Sequence, residues 1–198
     1  LSDILEPVRE KHQKVVVCSH LNPDGDAIGA QIALTRCLNA FGIEAFALWQ
    51  PEAPEMLSDF LKDTPTVGHG EELSSYIGAA VDCSDVLRVA EHTRNQVGQF
   101  FLNIDHHLAN TLFGVFNITN YQAAATCELL ASTLYAENLP FDKIAAEALL
   151  MGIMTDTGNF TYNNTSAETF FLTGKLVKDY EISLSEVAAQ IYNQNSFQ

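Results

Sequence analysis

The first part of the fold is decided by residues 15–49, VVVCSHLNPDGDAIGAQIALTRCLNAFGIEAFALW. An apolar, β-branched run at 15–19 predicts a strand, and a run of similar character at 44–49 predicts another. Between them, apolar side chains recur at helical spacing over 26–41, and Gly42 follows as a favourable residue for a helix end. The stretch therefore predicts a β-α-β unit, whose two strands are parallel and joined by a right-handed crossover.

The rest of the chain extends this unit into a larger sheet. Three more strand-like runs follow, at 77–82, 100–105 and 115–119. Helical periodicity then dominates, over 123–138, 142–155, 166–178 and 184–193. Because the strands are apolar almost throughout, we expect helices on both faces of the sheet. The predicted fold class is α/β, a three-layer α/β/α sandwich with a five-stranded, mainly parallel sheet.

Composition limits the number of domains and the class of partner. The 198 residues are 47% hydrophobic and 18% charged, which indicates one core-forming domain over 1–192 and excludes a disordered or fibrous chain. The polar stretch at 193–198 resembles the start of a linker. Long apolar segments are interrupted by charges, as Glu147 interrupts 144–154, so we expect neither a membrane span nor a membrane partner.

Charge and cysteine usage predict which nucleic-acid partners are excluded and in which redox compartment the protein works. The net charge of -15 predicts repulsion of long duplex nucleic acid. The four cysteines form no C-x-x-C motif, which favours buried free thiols in a reducing cytoplasm.

Polar side chains gather where the predicted strands end, which is where open α/β sheets bind ligands. His20, Asp24 and Asp26 follow the first strand on a Pro/Gly-containing loop. The third strand leads into Asp82 and Asp85. The fourth ends in Asp105, His106 and His107, and Asp156 closes an apolar helix.

This crowding of carboxylates predicts bound cations, because like charges at one sheet edge repel one another unless cations lie among them. The candidate donors are two imidazoles and four carboxylates: His20, Asp24, Asp26, Asp82, His106 and Asp156. Six donors exceed what one small ion with an open position needs, and they suit two ions that share a bridging carboxylate. Mixed nitrogen and oxygen donors favour Mn²⁺, Fe²⁺, Co²⁺ or Zn²⁺ over Mg²⁺.

Simpler interpretations exist for the individual motifs. Asp24 and Gly25 are typical turn residues, and Asp82 or Asp85 would suit the start of a helix at Val86. A calcium-binding EF-hand loop is excluded, because Ala27 and Ala33 occupy positions that need Gly and Glu. The sequence also contains neither a P-loop nor a G-x-G-x-x-G motif.

Four motifs in order give a specific resemblance. They are His20 with 22–26 (NPDGD), Asp82 within 81–85 (VDCSD), 105–107 (DHH) and 152–158 (GIMTDTG). Together they resemble the DHH phosphoesterase family over about residues 15–180, and within it the bacterial nano-RNase branch of oligoribonucleases and pAp phosphatases.

The resemblance implies a role for each motif residue. His20 and Asp24 would bind one Mn²⁺, and Asp82 would bridge both ions. The second Mn²⁺ would be bound by Asp26, His106 and Asp156. His107 would face the scissile phosphate as a catalytic and substrate-binding residue, and Asn22 would also contact substrate. Asp105 and Asp85 would orient these groups as further catalytic residues.

The implied function is two-metal hydrolysis of short oligoribonucleotides, of 3′-phosphoadenosine-5′-phosphate, or of both. The alternatives are inorganic pyrophosphatase or cyclic dinucleotide phosphodiesterase activity, or a nucleotide sensor without turnover. Family members of this branch carry a C-terminal substrate-binding domain, which we expect this chain to lack. Apolar surface on the terminal helices would suit either that domain or a homodimer.

Overall fold

The computed structural model of the protein describes residues 1–49, 63–68 and 70–192. The predicted linker at 193–198 lies outside these residues. The described strands are β1 (Lys14–Cys18), β2 (Ala45–Leu48), β3 (Thr66–Val67), β4 (Tyr76–Val81), β5 (Phe100–Asp105) and β6 (Phe116–Thr119). They form one sheet in the order β3-β2-β1-β4-β5-β6, and every neighbouring pair is parallel.

The expectation of five strands was wrong by one. The additional strand, β3, contains two residues and pairs with β2 at the edge of the sheet. Two residues are too few to show a period of two in the sequence, so only their pairing with β2 identifies them.

The helices of the described chain surround this sheet. They are α1 (Ser2–Glu10), α2 (Gly25–Ala40), α3 (Glu91–Val97), α4 (Thr126–Ala136), α5 (Lys143–Asp156), α6 (Ala167–Tyr180) and α7 (Leu184–Tyr192), with a 3₁₀ helix at Val86–Arg88. None of the described helices has the length and apolar character that crossing a membrane requires.

Buried side chains form one cluster on each face of the sheet, which confirms the three-layer α/β/α prediction. The larger cluster joins β1 to α2, α4 and α5, and includes Val15, Ile32 and Leu149. The smaller cluster lies on the opposite face and includes Val16 and Val97, the latter from α3. Successive residues of β1 thus contribute to opposite cores, as expected for a strand buried on both faces.

The order of the strands fixes where a ligand crevice lies. From β1 the chain proceeds to β2 and β3 on one side of the sheet, and then returns to β4 on the other side. In such sheets the crevice opens at the carboxyl ends of the strands, where the order reverses. Here that point lies between β1 and β4.

Close approach of α2 and α5 brings the loops of this crevice together. A Cβ atom at Gly29 of α2 would overlap the backbone carbonyl oxygen of Ala148 in α5. A Cβ atom at Gly25 would come within 2.5 Å of the Thr155 side chain. Because neither helix leaves room for a methyl group, the first turn of α2 lies directly against the last turn of α5.

We therefore expect Gly29→Ala to destabilise the protein by about 1–3 kcal/mol, the usual cost of overpacking a close-packed core. Gly174→Ala is the matched control, because a Cβ atom at Gly174 of α6 has no neighbour within 4 Å. The control variant should gain about 0.5–1 kcal/mol from higher helix propensity. Urea unfolding measures both changes, and equal stabilisation by the two substitutions would contradict the close approach.

Candidate metal centre

The structure brings the six predicted metal ligands together at the carboxyl edge of β1, β4 and β5. His20, Asp24 and Asp82 each offer a donor atom within 4.8 Å of the others, and Asp26, His106 and Asp156 do the same. A third set joins Asp82 and His106 to His107 at the same spacing. The ligand role of each residue stays a prediction, but the geometry that it requires is present.

The loop after β1 positions two of these carboxylates through the start of α2. Asp24 is the residue that caps α2, and its Oδ1 accepts a hydrogen bond of 3.0 Å from the backbone N–H of Ala27. The turn interpretation and the ligand interpretation of Asp24 are therefore compatible, because a carboxylate has a second oxygen. Asp26 follows in the first turn of α2 and is buried.

The carboxylate of Asp26 also holds the start of α4. Its two oxygens accept hydrogen bonds from the backbone N–H groups of Thr126 and Cys127, at 2.7 and 2.8 Å. Burial raises the pKa of Asp26, and the charges of Asp82 and Asp156 raise it further, against the opposing effect of the Cys127 N–H. A charged Asp26 therefore needs a cation nearby, which fits a metal ligand.

Asp82 lies between the two histidines that are predicted to bind metal. Its Oδ2 is 3.6 Å from Nε2 of His20, and its Oδ1 is 3.8 Å from Nε2 of His106. The hydroxyl of Thr126 donates a hydrogen bond of 2.8 Å to Oδ1. Burial acts to raise the pKa of Asp82, but His20, Thr126 and the other imidazoles together lower it. Opposite oxygens thus face the two ligand groups, as a bridging carboxylate requires.

The backbone of Asp82 is in the left-handed region, with φ of 50°. This conformation costs about 1–2 kcal/mol for a residue with a Cβ atom, and strain of this kind concentrates at functional sites.

Both predicted histidine ligands present the same ring nitrogen to the centre. Nδ1 of His20 lies 2.8 Å from the carbonyl oxygen of Leu21, and Nδ1 of His106 lies 3.2 Å from that of Ala123. A carbonyl can only accept, so in each ring Nδ1 carries the proton and Nε2 has the free electron pair. This arrangement is usual for metal-bound imidazoles.

Asp156 completes the second group from the end of α5. Its Oδ2 lies 3.4 Å from Nε2 of His106. Burial raises the pKa of Asp156 to about 6; the charges of Asp82 and Asp24 add to this rise, and His106 opposes it.

His107 and Asp105 form a pair beside the ligand groups. Nδ1 of His107 is 2.7 Å from Oδ1 of the fully buried Asp105, and this contact is the main reason that the pKa of His107 is raised. Asn110 donates a hydrogen bond of 2.6 Å to the other oxygen of Asp105. The pair has the geometry that the predicted orienting role of Asp105 requires.

The other two predicted site residues lie on the loops that follow β4 and β1. Asp85 caps the 3₁₀ helix, where its Oδ1 accepts a hydrogen bond of 2.8 Å from the Leu87 N–H. Its helix-capping interpretation therefore describes the observed contact, and its catalytic role stays a prediction. Asn22 is exposed on the loop after β1, with φ of 56°.

Two residues of the centre were missed in the sequence. Thr126 joins Asp26 to Asp82 through its backbone and its hydroxyl, and Asn110 supports Asp105. Neither lies in a motif with carboxylates or imidazoles, so the sequence alone carries no sign of these contacts.

The fold and the site together define a class, namely parallel α/β proteins with a carboxylate–histidine metal centre at the strand-order reversal. The family model described as the DHH family, N-terminal domain, matches residues 14–153. The chain therefore belongs to the DHH family, as its four motifs predicted.

Curated relatives agree with this assignment. The chain is 29% identical over 188 residues to the bifunctional oligoribonuclease and PAP phosphatase NrnA of Thermus thermophilus, covering 95% of this chain and 56% of that protein. It is 30% identical over 190 residues to the protein of the same name from Bacillus subtilis, covering 91% and 58%. The chain thus spans a little over half the length of these curated relatives.

The fold also matches the crystal structure of an exopolyphosphatase-related protein from Bacteroides fragilis. The TM-score is 0.79 at 24% identity, and the match covers 100% of this chain and 62% of that one.

Removal of the Thr126 hydroxyl should weaken metal binding. We expect Thr126→Val to reduce Mn²⁺ affinity ~10–100-fold, because groups that orient metal ligands contribute on that scale. Thr126→Ser keeps the hydroxyl and should bind Mn²⁺ nearly as the unmodified protein does. Thr133→Val is the control on the same helix, since its hydroxyl donates only to the Leu129 carbonyl. Calorimetric titration with Mn²⁺ measures the affinities, and an unchanged Thr126→Val variant would contradict the role.

Proposed function

We propose that the protein is a two-metal phosphoesterase that hydrolyses short oligoribonucleotides, nucleoside 3′,5′-bisphosphates, or both. The observation that carries this proposal is the placement of Asp82 between two groups of donors, with its two oxygens directed to opposite histidines. The names of the curated relatives, which specify oligoribonuclease and PAP phosphatase activity, support the substrate class. Those relatives are longer than this chain, and the metal centre and the chemistry would belong to residues 1–192.

The donor set fits two Mn²⁺ ions. His20 and Asp24 would hold one ion, Asp26, His106 and Asp156 the other, and Asp82 both. Mixed imidazole and carboxylate ligation supports Mn²⁺ over Mg²⁺. When bound, the ions supply an acidified water and offset charge on the phosphoryl oxygens.

The chain supplies a proton donor beside the metal groups. His107 donates from Nδ1 to Asp105, and the Asn110 amide fixes the other side of that carboxylate. Asp105 raises the pKa of His107, which stabilises the protonated ring, and in that form Nε2 carries a second N–H. His107 is 38% exposed, so this N–H is available to stabilise charge on a phosphate or to protonate the leaving oxygen.

Charge supports a preference for short substrates. The protein has a net charge of -15, so each additional phosphate of a long strand meets repulsion. Two divalent ions would offset the four ligating carboxylates, which leaves the metal centre as the place where a phosphate is admitted. A short strand needs to place only its end there.

The cysteines support a cytoplasmic location, which we also propose. All four, Cys18, Cys37, Cys83 and Cys127, are free and buried, as the sequence predicted. Buried free thiols of this kind are typical of reducing compartments.

The bridging carboxylate gives the most direct test of the mechanism. We expect Asp82→Asn to reduce Mn²⁺-dependent hydrolysis of a dinucleotide by about 100-fold or more, because the metal pair loses its shared ligand. Asp179→Asn is the control, since Asp179 pairs with Lys175 on α6 and should leave the rate unchanged. Near-normal turnover by Asp82→Asn would refute the bridging role.

Substrate length and class give a second test. On labelled RNAs of increasing length, we expect the rate to fall steadily beyond about five nucleotides as repulsion by the acidic protein accumulates. Product release from pyrophosphate and from a cyclic dinucleotide is measured in parallel. Equal rates on long and short RNA would overturn the short-substrate proposal. Faster turnover of either parallel substrate would favour the corresponding alternative, and binding without any product would favour a sensor.

A further inference from the structure

One basic side chain stands at the rim of the acidic metal centre. The described loops that border the centre lie at 19–24, 82–90, 106–115, 120–125 and 157–166. Together they contain a single Lys or Arg, which is Arg88 at the end of the 3₁₀ helix.

Backbone contacts fix Arg88 beside the loops that carry His20 and Asp82. The Leu21 N–H donates a hydrogen bond of 2.8 Å to the Arg88 carbonyl oxygen, so Arg88 is joined to the residue that follows His20. The Arg88 N–H donates to the carbonyl oxygen of Asp85 at 3.0 Å. The position of Arg88 therefore does not depend on its own side chain.

The guanidinium group of Arg88 is directed back along the loop that follows β4. Its Nη1 donates a hydrogen bond of 3.3 Å to the hydroxyl of Ser84, two residues beyond Asp82. This contact holds the guanidinium group over the loop that begins at Asp82. The positive charge thus lies near the centre without belonging to either ligand group.

This charge is not neutralised within the described part of the chain. Other cations pair with carboxylates, as Lys14 does with Glu44, Arg36 with Asp142 and Lys175 with Asp179. For Arg88, the Ser84 hydroxyl is the side-chain partner, and it occupies one of five guanidinium N–H donors. The residue is exposed, so the remaining donors are available to a ligand.

We propose that Arg88 binds a second, non-scissile phosphate of the substrate. The site then prefers nucleoside 3′,5′-bisphosphates and 5′-phosphorylated dinucleotides over substrates with a single phosphate. A guanidinium group stays charged at every physiological pH and matches phosphate oxygens through paired N–H donors. The metal ions would serve the scissile phosphate, and Arg88 is the one Lys or Arg side chain that the described bordering loops offer to a second phosphate on the same molecule. This inference rests on the proposed function.

The test compares two substrates that differ only in the second phosphate. Steady-state hydrolysis of 5′-phosphorylated ApA and of unphosphorylated ApA is measured with Mn²⁺ for the unmodified protein, Arg88→Ala and Arg88→Lys. Arg88→Ala keeps the backbone carbonyl that anchors Leu21, and thermal melts of each variant check the fold. Lys14→Ala is the control for loss of one positive charge, because Lys14 lies at the amino end of β1, whereas the metal ligands follow the carboxyl end.

We expect Arg88→Ala to reduce kcat/KM for the 5′-phosphorylated dinucleotide on the order of tenfold or more, mainly through KM, as loss of a charge-assisted hydrogen bond would. Hydrolysis of unphosphorylated ApA should change less than about twofold, within the effect of an ordinary surface substitution. Arg88→Lys should recover part of the preference, and Lys14→Ala should keep all of it.

Each other outcome has a distinct meaning. An equal loss on both substrates would show that Arg88 positions the loop rather than binding a second phosphate, and no loss on either would also overturn the inference. If the unmodified protein hydrolyses neither dinucleotide, the proposed function itself fails, and the inference falls with it.

Discussion

The hydrogen bonds to the carboxylate of Asp26 hold the centre together. Asp26 lies in the first turn of α2, and its oxygens accept the backbone N–H groups of Thr126 and Cys127 at the start of α4. A third helix, α5, approaches at Gly152, where a Cβ atom would come within 2.9 Å of Oδ1 of Asp26. Three helices thus meet at one buried carboxylate, and the neighbouring hydroxyl of Thr126 extends the same contact to Asp82 at the end of β4.

The carboxylates that meet at this centre repel one another when they are ionised. The pKa values of Asp26 and Asp156 are raised chiefly by burial and by the neighbouring carboxylates, so the ionised centre opposes its own formation. Close packing of α2 on α5 keeps these groups together despite that repulsion, because separating the helices would expose a large apolar core. Cation binding would then further stabilise an arrangement that packing of the hydrophobic core already holds in place.

Much of this could be predicted from the sequence, because the strongest signals are periodic or chemical. Apolar runs located β1, β2, β4, β5 and β6, and the donors were found because they follow strands whose carboxyl ends share one edge. The strand β3 was missed because two residues show no period. Thr126 and Asn110 were missed because their contacts depend on how α4 and the loop after β5 are oriented in space. Asp85 illustrates the converse problem, because its place in a motif of potential metal ligands predicted a role at the centre, whereas the contact observed for its carboxylate is with the start of a short helix.

The two ends of a helix carry opposite partial charges, and the centre uses both. Asp24 and Asp26 stand at the positive amino terminus of α2, where the helix dipole favours a carboxylate. Asp156 is the last residue of α5, at a negative carboxyl terminus, where the dipole disfavours one. The centre is therefore electrostatically asymmetric: the helix dipole stabilises the carboxylates at the start of α2, whereas at Asp156 only a bound cation would offset the unfavourable dipole.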